Sequence, residues 1–324
     1  MPEKIKNIKT LAGIPRVEIS VVIPLFNEEH TLVELAGKIA DSLQGKDFEI
    51  IFVDDGSMDR SWEILSKLSR DYSFVKAIRF RRNYGKSDAL QAGFTASMGR
   101  YVVTMDADLQ DDPYEIPGLI DLLEQGNDMV SGWKKKRFDP ISKTVPSRFF
   151  NAVTRLTTGI QLHDFNCGLK AYRKEVTDSI YLYGEMHRYV PLLAKWKGYD
   201  KIEEKVVKHH PRKHGKTKFG ISRFLNGFLD LITLLFVNRY KQRPMHFFGS
   251  LGILFLFIGG LISTYLSYLK IFLGQPLANR PLLFLGILLI LVGVQFFSIG
   301  FLGEMINRWH IRNQNPEISD KTGL

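Results

Sequence analysis

The sequence has a single cysteine, Cys167, in 324 residues, which excludes an intrachain disulfide and fits a reducing compartment without requiring one. The first residues, Met1 to Arg16, are polar and basic with no long apolar core, so they do not read as a cleaved signal peptide. There is no internal repeat and no low-complexity tract. Acidic residues are in deficit: 34 Asp and Glu stand against 44 Lys and Arg, a formal charge of +10. Such a balance favours an anionic partner, and nucleic acid, anionic lipid and phosphorylated substrate all satisfy it.

Charge is also missing from two stretches near the C-terminus. Phe247 to Leu269 and Leu282 to Gly303 carry no charged side chain, and each is about the length of a bilayer core. Both contain several glycines, which spanning helices use for close packing. Arg239, Lys241 and Arg243 precede the first run, and Arg308 and Arg312 follow the second; the short connection carries Lys270 and Arg280. The positive-inside rule places both termini in the cytoplasm and the short connection outside. The expected division is a soluble domain over 1–218, an amphipathic juxtamembrane segment over 219–243, two spans within 244–306, and a tail over 307–324. The juxtamembrane segment suits a membrane interface as well as it suits packing on the soluble domain.

The soluble part alternates strands and helices. Strands are predicted over Glu18–Pro24, Phe48–Val53, Val75–Phe80, Tyr101–Met105 and Asp128–Ser131. A helix follows the first strand, with Thr31 and Glu34 at capping-box spacing, and another is predicted over Ser87–Ser97. Pro113 after Asp112 suits a helical first turn. This alternation implies an α/β domain with a mostly parallel sheet, whose ligands lie beyond the carboxyl ends of the strands.

Three polar clusters fall at those ends. In Pro24–Leu25–Phe26–Asn27–Glu28–Glu29, a helix start can expose backbone N–H groups and Glu28 can accept from a ribose hydroxyl; ordinary helix entry is the competing reading. In Val53–Asp54–Asp55–Gly56–Ser57, a carboxylate can accept the ring N–H of a base, and Gly56 permits a tight turn. In Asp106–Ala107–Asp108–Leu109–Gln110, strand alternation would bring Asp106 and Asp108 to one side. With Gln110 as a further oxygen donor, that pair suits Mg²⁺ or Mn²⁺ better than zinc.

Gly85–Lys86–Ser87 looks like the end of a phosphate-binding P-loop, but the glycine that motif requires five residues earlier is Phe80. His209, His210 and His214 sit among Lys205, Lys208, Arg212 and Lys213, where a metal ion would be repelled.

Taken together, these motifs resemble glycosyltransferase family 2, and within it the polyprenyl-phosphate glycosyltransferases. The resemblance runs from about Ile19 to Gly220. It rests on Ser20 through Glu29, Val53 through Ser57, Asp106 through Gln110, Asp164 through Arg173 and Arg212 through Lys218, in order and spacing. It implies a GT-A fold, with a nucleotide-sugar donor bound by Pro24, Phe26, Glu28, Val53, Asp55, Asp106, Ala107, Asp108, Lys134, Arg212 and Lys218. It further implies Mg²⁺ or Mn²⁺ held by Asp106, Asp108 and Gln110, and Asp108 and Asp164 as candidate catalytic carboxylates. Asp164 reads equally well as a structural cap. Arg137 and Arg148 are expected to clamp the phosphate of a polyprenyl acceptor. Lys134 stands where many relatives have arginine.

The implied reaction is inverting, metal-dependent transfer of one sugar, from UDP-glucose or a related UDP-hexose, to polyprenyl phosphate such as undecaprenyl phosphate. The QxxRW signature of processive synthases is absent; the nearest stretch is Met186–His187–Arg188–Tyr189. Membrane lipids are expected partners and nucleic acid is not; whether the chain forms a homo-oligomer stays open. The implied location is the cytoplasmic membrane. Two rival readings are a glycolipid transport or scaffold protein with a regulatory nucleotide domain, and a transferase acting on a hydroxyl acceptor.

Overall fold

The computed structural model describes residues 17–135, 151, 154–155, 158–211, 244–276 and 281–311. The chain divides into two compact units, 1–231 and 232–324.

The first unit is built on seven strands: β1 (Ile19–Leu25), β2 (Phe48–Asp54), β3 (Val75–Arg79), β4 (Tyr101–Thr104), β5 (Met129–Trp133), β6 (Lys170–Arg173) and β7 (Ile202–Val206). Their order is β3-β2-β1-β4-β6-β5-β7. The sheet is mostly parallel, as expected, but β6 runs antiparallel to both β4 and β5. β6 and β7 escape the sequence reading because both are short: β6 has Lys170 and Arg173 at its ends, and β7 carries Glu203, Glu204 and Lys205 in a row, which breaks apolar alternation. Helices α1 (Leu32–Ser42), α2 (Ser61–Asp71), α3 (Lys86–Ala96) and α4 (Ile116–Glu124) cross between strands, followed by the short α5 (Lys174–Ser179) and α6 (Val190–Trp196).

The strands β1 and β2 are buried nearly throughout because both faces are covered by helices. Ile19, Val21, Ile23, Ile50 and Phe52 pack with Leu32, Leu35 and Ile39 of α1. At about 1.5–3 kcal/mol for each fully buried large aliphatic or aromatic side chain, this core is what holds the strand ends in place. Asp112 accepts the Tyr114 N–H at 3.1 Å and Pro113 opens a single 3₁₀ turn before α4, as the Asp–Pro pair predicts. The expected capping box at α1 is absent. The Thr31 hydroxyl donates backwards to the Glu28 carbonyl at 3.0 Å instead of accepting from the helix.

The second unit is a hairpin of α7 (Pro244–Leu273) and α8 (Pro281–Ile311). Both are long and apolar enough to cross a membrane and extend beyond the uncharged runs. Their contact is made through glycines. A Cβ on Gly252 would lie 2.8 Å from the Gly293 carbonyl oxygen, and one on Gly259 would lie 2.7 Å from that of Gly286. The seven-residue spacing on both helices keeps these small residues on one seam, so the backbones meet directly. Large side chains such as Phe257, Leu261, Phe284 and Leu291 point away and are exposed.

Candidate active site

The carboxyl ends of β1, β2 and β4 open into one cleft of about 270 Å³. It is lined by Pro24, Phe26, Glu28, Asp55, Lys86, Asp106, Ala107 and Asp108, with Leu25, Asn83, Gly85 and Ala89. Seven residues singled out in the sequence are thus brought together from three segments.

The loop after β1 is laced to the loop after β2. The N–H groups of Asn27, Glu28 and Glu29 donate to Ser57 Oγ, Ser61 Oγ and Asp59 Oδ2 at 2.8, 3.0 and 3.2 Å. These N–H groups therefore serve the loop and are not presented to a ligand, which corrects the expectation for that helix start. Asn27 takes a left-handed backbone, φ 57°, and its side chain accepts the Met58 N–H at 2.8 Å. Gly56 sits at φ 76°, and a Cβ there would come within 2.6 Å of the Arg82 backbone, so glycine is required by both conformation and space.

Asp55 is buried, and its two oxygens accept from the N–H groups of Tyr84 and Gly85 at 2.7 and 2.9 Å. Burial pushes its carboxyl above the ordinary range, more than those N–H bonds lower it. Its visible work is to fix the loop that leads into α3. Val53 is fully buried within β2, between Pro24 and Ile78, and does not line the cleft.

Strand β4 ends at Thr104, so Asp106 and Asp108 stand on a turn beyond it. Their shared direction is set by that turn, not by strand alternation. Leu109 at φ 59° closes it, a conformation worth about 1 kcal/mol of strain or more in a non-glycine residue and typical of functional loops. Asp108 Oδ1 accepts the Gln110 N–H at 3.1 Å. Asp106 keeps 34% of its side chain exposed, and its Oδ1 pairs with the Lys86 ammonium. Burial opposes ionisation of Asp106, but the charges of Lys86 and then Lys134 outweigh it and hold the carboxyl well below the usual range.

On the far side Gly168 presses against this carboxylate: a Cβ there would lie 2.6 Å from Asp106 Oδ2 and 2.7 Å from its Cγ. The missing side chain makes the cradle in which Asp106 sits. Lys134 reaches Asp111 Oδ1 at 2.6 Å; burial works against its charge, but Asp111 more than compensates and raises its pKa. Cys167 is buried, which pushes its thiol up to about 12, so it is not a nucleophile at neutral pH.

Asp164 lies 1% exposed on the loop before β6. Its Oδ1 accepts the Asn166 N–H at 3.2 Å, and its own N–H donates to Glu204 Oε1 at 2.9 Å. Those bonds shape the turn before β6, and Asp164 is not among the described residues that line the cleft. His210 pairs with Asp112 at 3.2 Å, and its N–H donates to the Gln110 carbonyl at 2.8 Å, so it ties the segment after β7 to the carboxylate turn. Arg137, Arg148, Arg212, Lys218 and the segment 219–243 lie outside the described residues.

Among the described residues no three His, Cys, Asp or Glu side chains cluster as a cage for a metal ion. Two carboxylates on one cleft, backed by a glycine cradle, nevertheless fit Mg²⁺ or Mn²⁺, which characteristically bind one or two protein carboxylates and complete their shell with substrate phosphates. The sequence reading did not place Lys86 in the site. Its only signal was a failed P-loop match, and its contact with Asp106 depends on how α3 lies against the sheet.

The pattern of glycosyl transferase family 2 matches residues 20–181. A dodecaprenyl-phosphate galacturonate synthase of Rhizobium johnstonii is 39% identical over 306 residues, covering 93% of this chain and 90% of that one. The chain belongs to glycosyl transferase family 2. An undecaprenyl-phosphate 4-deoxy-4-formamido-L-arabinose transferase of Pseudomonas aeruginosa is 37% identical over 296 residues, covering 90% and 86%. Among solved structures, glucosyl-3-phosphoglycerate synthase from Mycobacterium tuberculosis, crystallised with Mn²⁺ and UDP-glucose, superposes with a TM-score of 0.52. The identity is 23%, over 68% of this chain and 78% of that one, a likeness of fold. This family 2 chain is a glycosyltransferase with a GT-A fold and a mixed sheet.

Proposed function

We propose that this glycosyltransferase moves one sugar from a UDP-sugar to polyprenyl phosphate, with inversion, at the cytoplasmic face of the cytoplasmic membrane. The observation that carries the reading is the cleft at the ends of β1, β2 and β4, where an apolar lining (Pro24, Phe26) meets the Asp106–Asp108 pair. The relatives named for dodecaprenyl and undecaprenyl phosphate support the acceptor class. Their sugars, galacturonate and 4-deoxy-4-formamido-L-arabinose, widen the donor beyond UDP-glucose.

In this reading Pro24, Phe26, Glu28 and Asp55 surround the nucleoside, and Asp106, Ala107 and Asp108 face the ribose and diphosphate. Asp106, Asp108 and Gln110 would hold Mg²⁺ or Mn²⁺. When bound, the ion supplies Lewis-acid neutralisation of the departing diphosphate, worth several kcal/mol. The acceptor phosphate is already anionic near neutral pH, so its oxygen attacks the anomeric carbon without a strong general base. The larger obstacle is repulsion between two anions, which preorganised cations offset. Lys134, Arg212 and Lys218 are assigned to the donor side, and Arg137 and Arg148 to the lipid phosphate. The soluble domain over 1–218 and both termini are assigned to the cytoplasm, with α7 and α8 spanning the bilayer.

The test is incubation of the detergent-solubilised chain with undecaprenyl phosphate and UDP-glucose, UDP-galactose, UDP-N-acetylglucosamine, UDP-galacturonate or the UDP-linked formamido sugar. One sugar mass added to the lipid supports the reading. Transfer to hydroxyl acceptors but not to the lipid phosphate would overturn it.

A further inference from the structure

Lys86 is the first residue of α3, and its neighbours on both sides are pinned. Upstream, both oxygens of Asp55 hold the N–H groups of Tyr84 and Gly85. Gly85 itself takes φ 104°, a backbone that suits glycine. Downstream, Ser87 Oγ accepts the His187 N–H at 3.0 Å and lies 3.0 Å from His187 Nδ1. His187 belongs to the Met186–Arg188 turn, so a distant segment locks the start of α3. With its backbone fixed at both sides, Lys86 delivers its ammonium to Asp106 Oδ1.

That oxygen belongs to one of the two carboxylates assigned above to a divalent ion. A carboxylate engaged by an ammonium offers less charge to a second cation, and the two cations repel each other at this range. A diphosphate entering the cleft changes the balance, because its oxygens give Lys86 another anion to pair with. Lys86 then leaves Asp106 to the divalent ion. We propose that Lys86 is a built-in counter-cation that makes divalent-ion binding at Asp106 and Asp108 conditional on a nucleotide diphosphate. The inference rests on the donor reading above and adds to it a positioning residue and a binding order. Thermodynamic linkage requires the effect to be reciprocal: nucleotide tightens the ion, and the ion tightens nucleotide.

The test measures Mn²⁺ affinity of the full chain in detergent, from the spin resonance of free Mn²⁺, with and without UDP. In Lys86→Met, Mn²⁺ alone should bind about 5–10-fold tighter, the size expected for removing a partly exposed competing ion pair and its repulsion. UDP in saturating Mn²⁺ should bind about 10-fold weaker, for loss of one charge-assisted hydrogen bond. Lys86→Arg keeps the charge and should retain wild-type coupling, and melting curves for both variants report folding. Unchanged or weaker Mn²⁺ affinity in folded Lys86→Met overturns this inference alone. Wild-type chain that binds neither UDP nor GDP with Mn²⁺ overturns the donor reading, and this inference with it.

Discussion

Replacing Gly168 by alanine tests the cradle around Asp106 with the smallest change available. Gly168 does not occupy the left-handed region, so alanine adopts its backbone without strain, and the effect is steric. The new Cβ would lie 2.6 Å from Oδ2, 2.7 Å from Cγ and 3.0 Å from Oδ1 of Asp106. An ordinary contact needs about 3.4 Å or more, so the carboxylate must retreat by about 0.8 Å. The Gly168 carbonyl is held by the Thr104 hydroxyl at 2.9 Å, which leaves the backbone little room to yield instead. Overpacking of this kind costs about 1–3 kcal/mol of stability. A misplacement approaching 1 Å in a group that orders reactants costs about 100-fold in rate. Gly168→Ala should therefore lower sugar transfer to undecaprenyl phosphate by about 100-fold in kcat/KM while the protein still melts cooperatively a few degrees below wild type. Transfer is followed by mass spectrometry of the lipid, and folding by thermal melting in detergent. Wild-type turnover would refute the reasoning, as would a loss of activity matched entirely by loss of folded protein.

Asp108→Ala should abolish transfer and leave the melting temperature within a few degrees, and retained turnover would contradict the assignment of the ion. Arg148→Ala should raise the KM for polyprenyl phosphate more than that for the donor, and equal effects would remove it from the acceptor site. Glu49 is buried; burial works against its charge, but Lys76 at 2.5 Å, the Ser20 hydroxyl at 2.6 Å and the Met98 N–H at 2.8 Å outweigh that and lower its pKa. A lowered folded-state pKa contributes stability that is present above about pH 4.3 and is lost as the pH falls through the lower folded value. The melting-temperature gap between wild type and Glu49→Gln should accordingly be open at pH 7 and close as the pH falls below 4, whereas a constant gap would refute it. In the hairpin, Gly259→Leu should push α7 and α8 apart by about 2 Å, since helices in direct glycine contact sit below the usual 8–10 Å separation. Pulsed electron spin resonance between labels at Ser250→Cys and Ser298→Cys reads that distance, and an unchanged distribution would count against the glycine seam.

The sequence made the architecture readable where one physical signal dominated. Uncharged runs near Phe247 and Leu282 announced α7 and α8, and apolar strands ending in carboxylates marked the ends of β2 and β4. Strand alternation, however, gave the wrong reason for the convergence of Asp106 and Asp108, because β4 stops at Thr104, before either carboxylate, and a turn closed by Leu109 aims them. Asp55 is legible as a carboxylate at the cleft, but its second task is not: both its oxygens also accept from the backbone of Tyr84 and Gly85, about thirty residues away. Thr31 and Glu34 had capping-box spacing, but Thr31 bonds to Glu28 instead. The contributions of Gly168 and His187, and that of Lys86 beyond its failed P-loop match, were not legible. Each depends on a contact across the fold: Lys86 to Asp106 over twenty residues, Gly168 to the same carboxylate, and His187 to Ser87 across a hundred. Local spacing carries no record of such contacts.

The measurement closest to the central claim is lipid product mass from purified chain, undecaprenyl phosphate and the UDP-sugar panel, with and without excess chelator. The account predicts a single added sugar, no longer products, loss of transfer in chelator and recovery on adding Mn²⁺ or Mg²⁺. Undiminished transfer in chelator would contradict it.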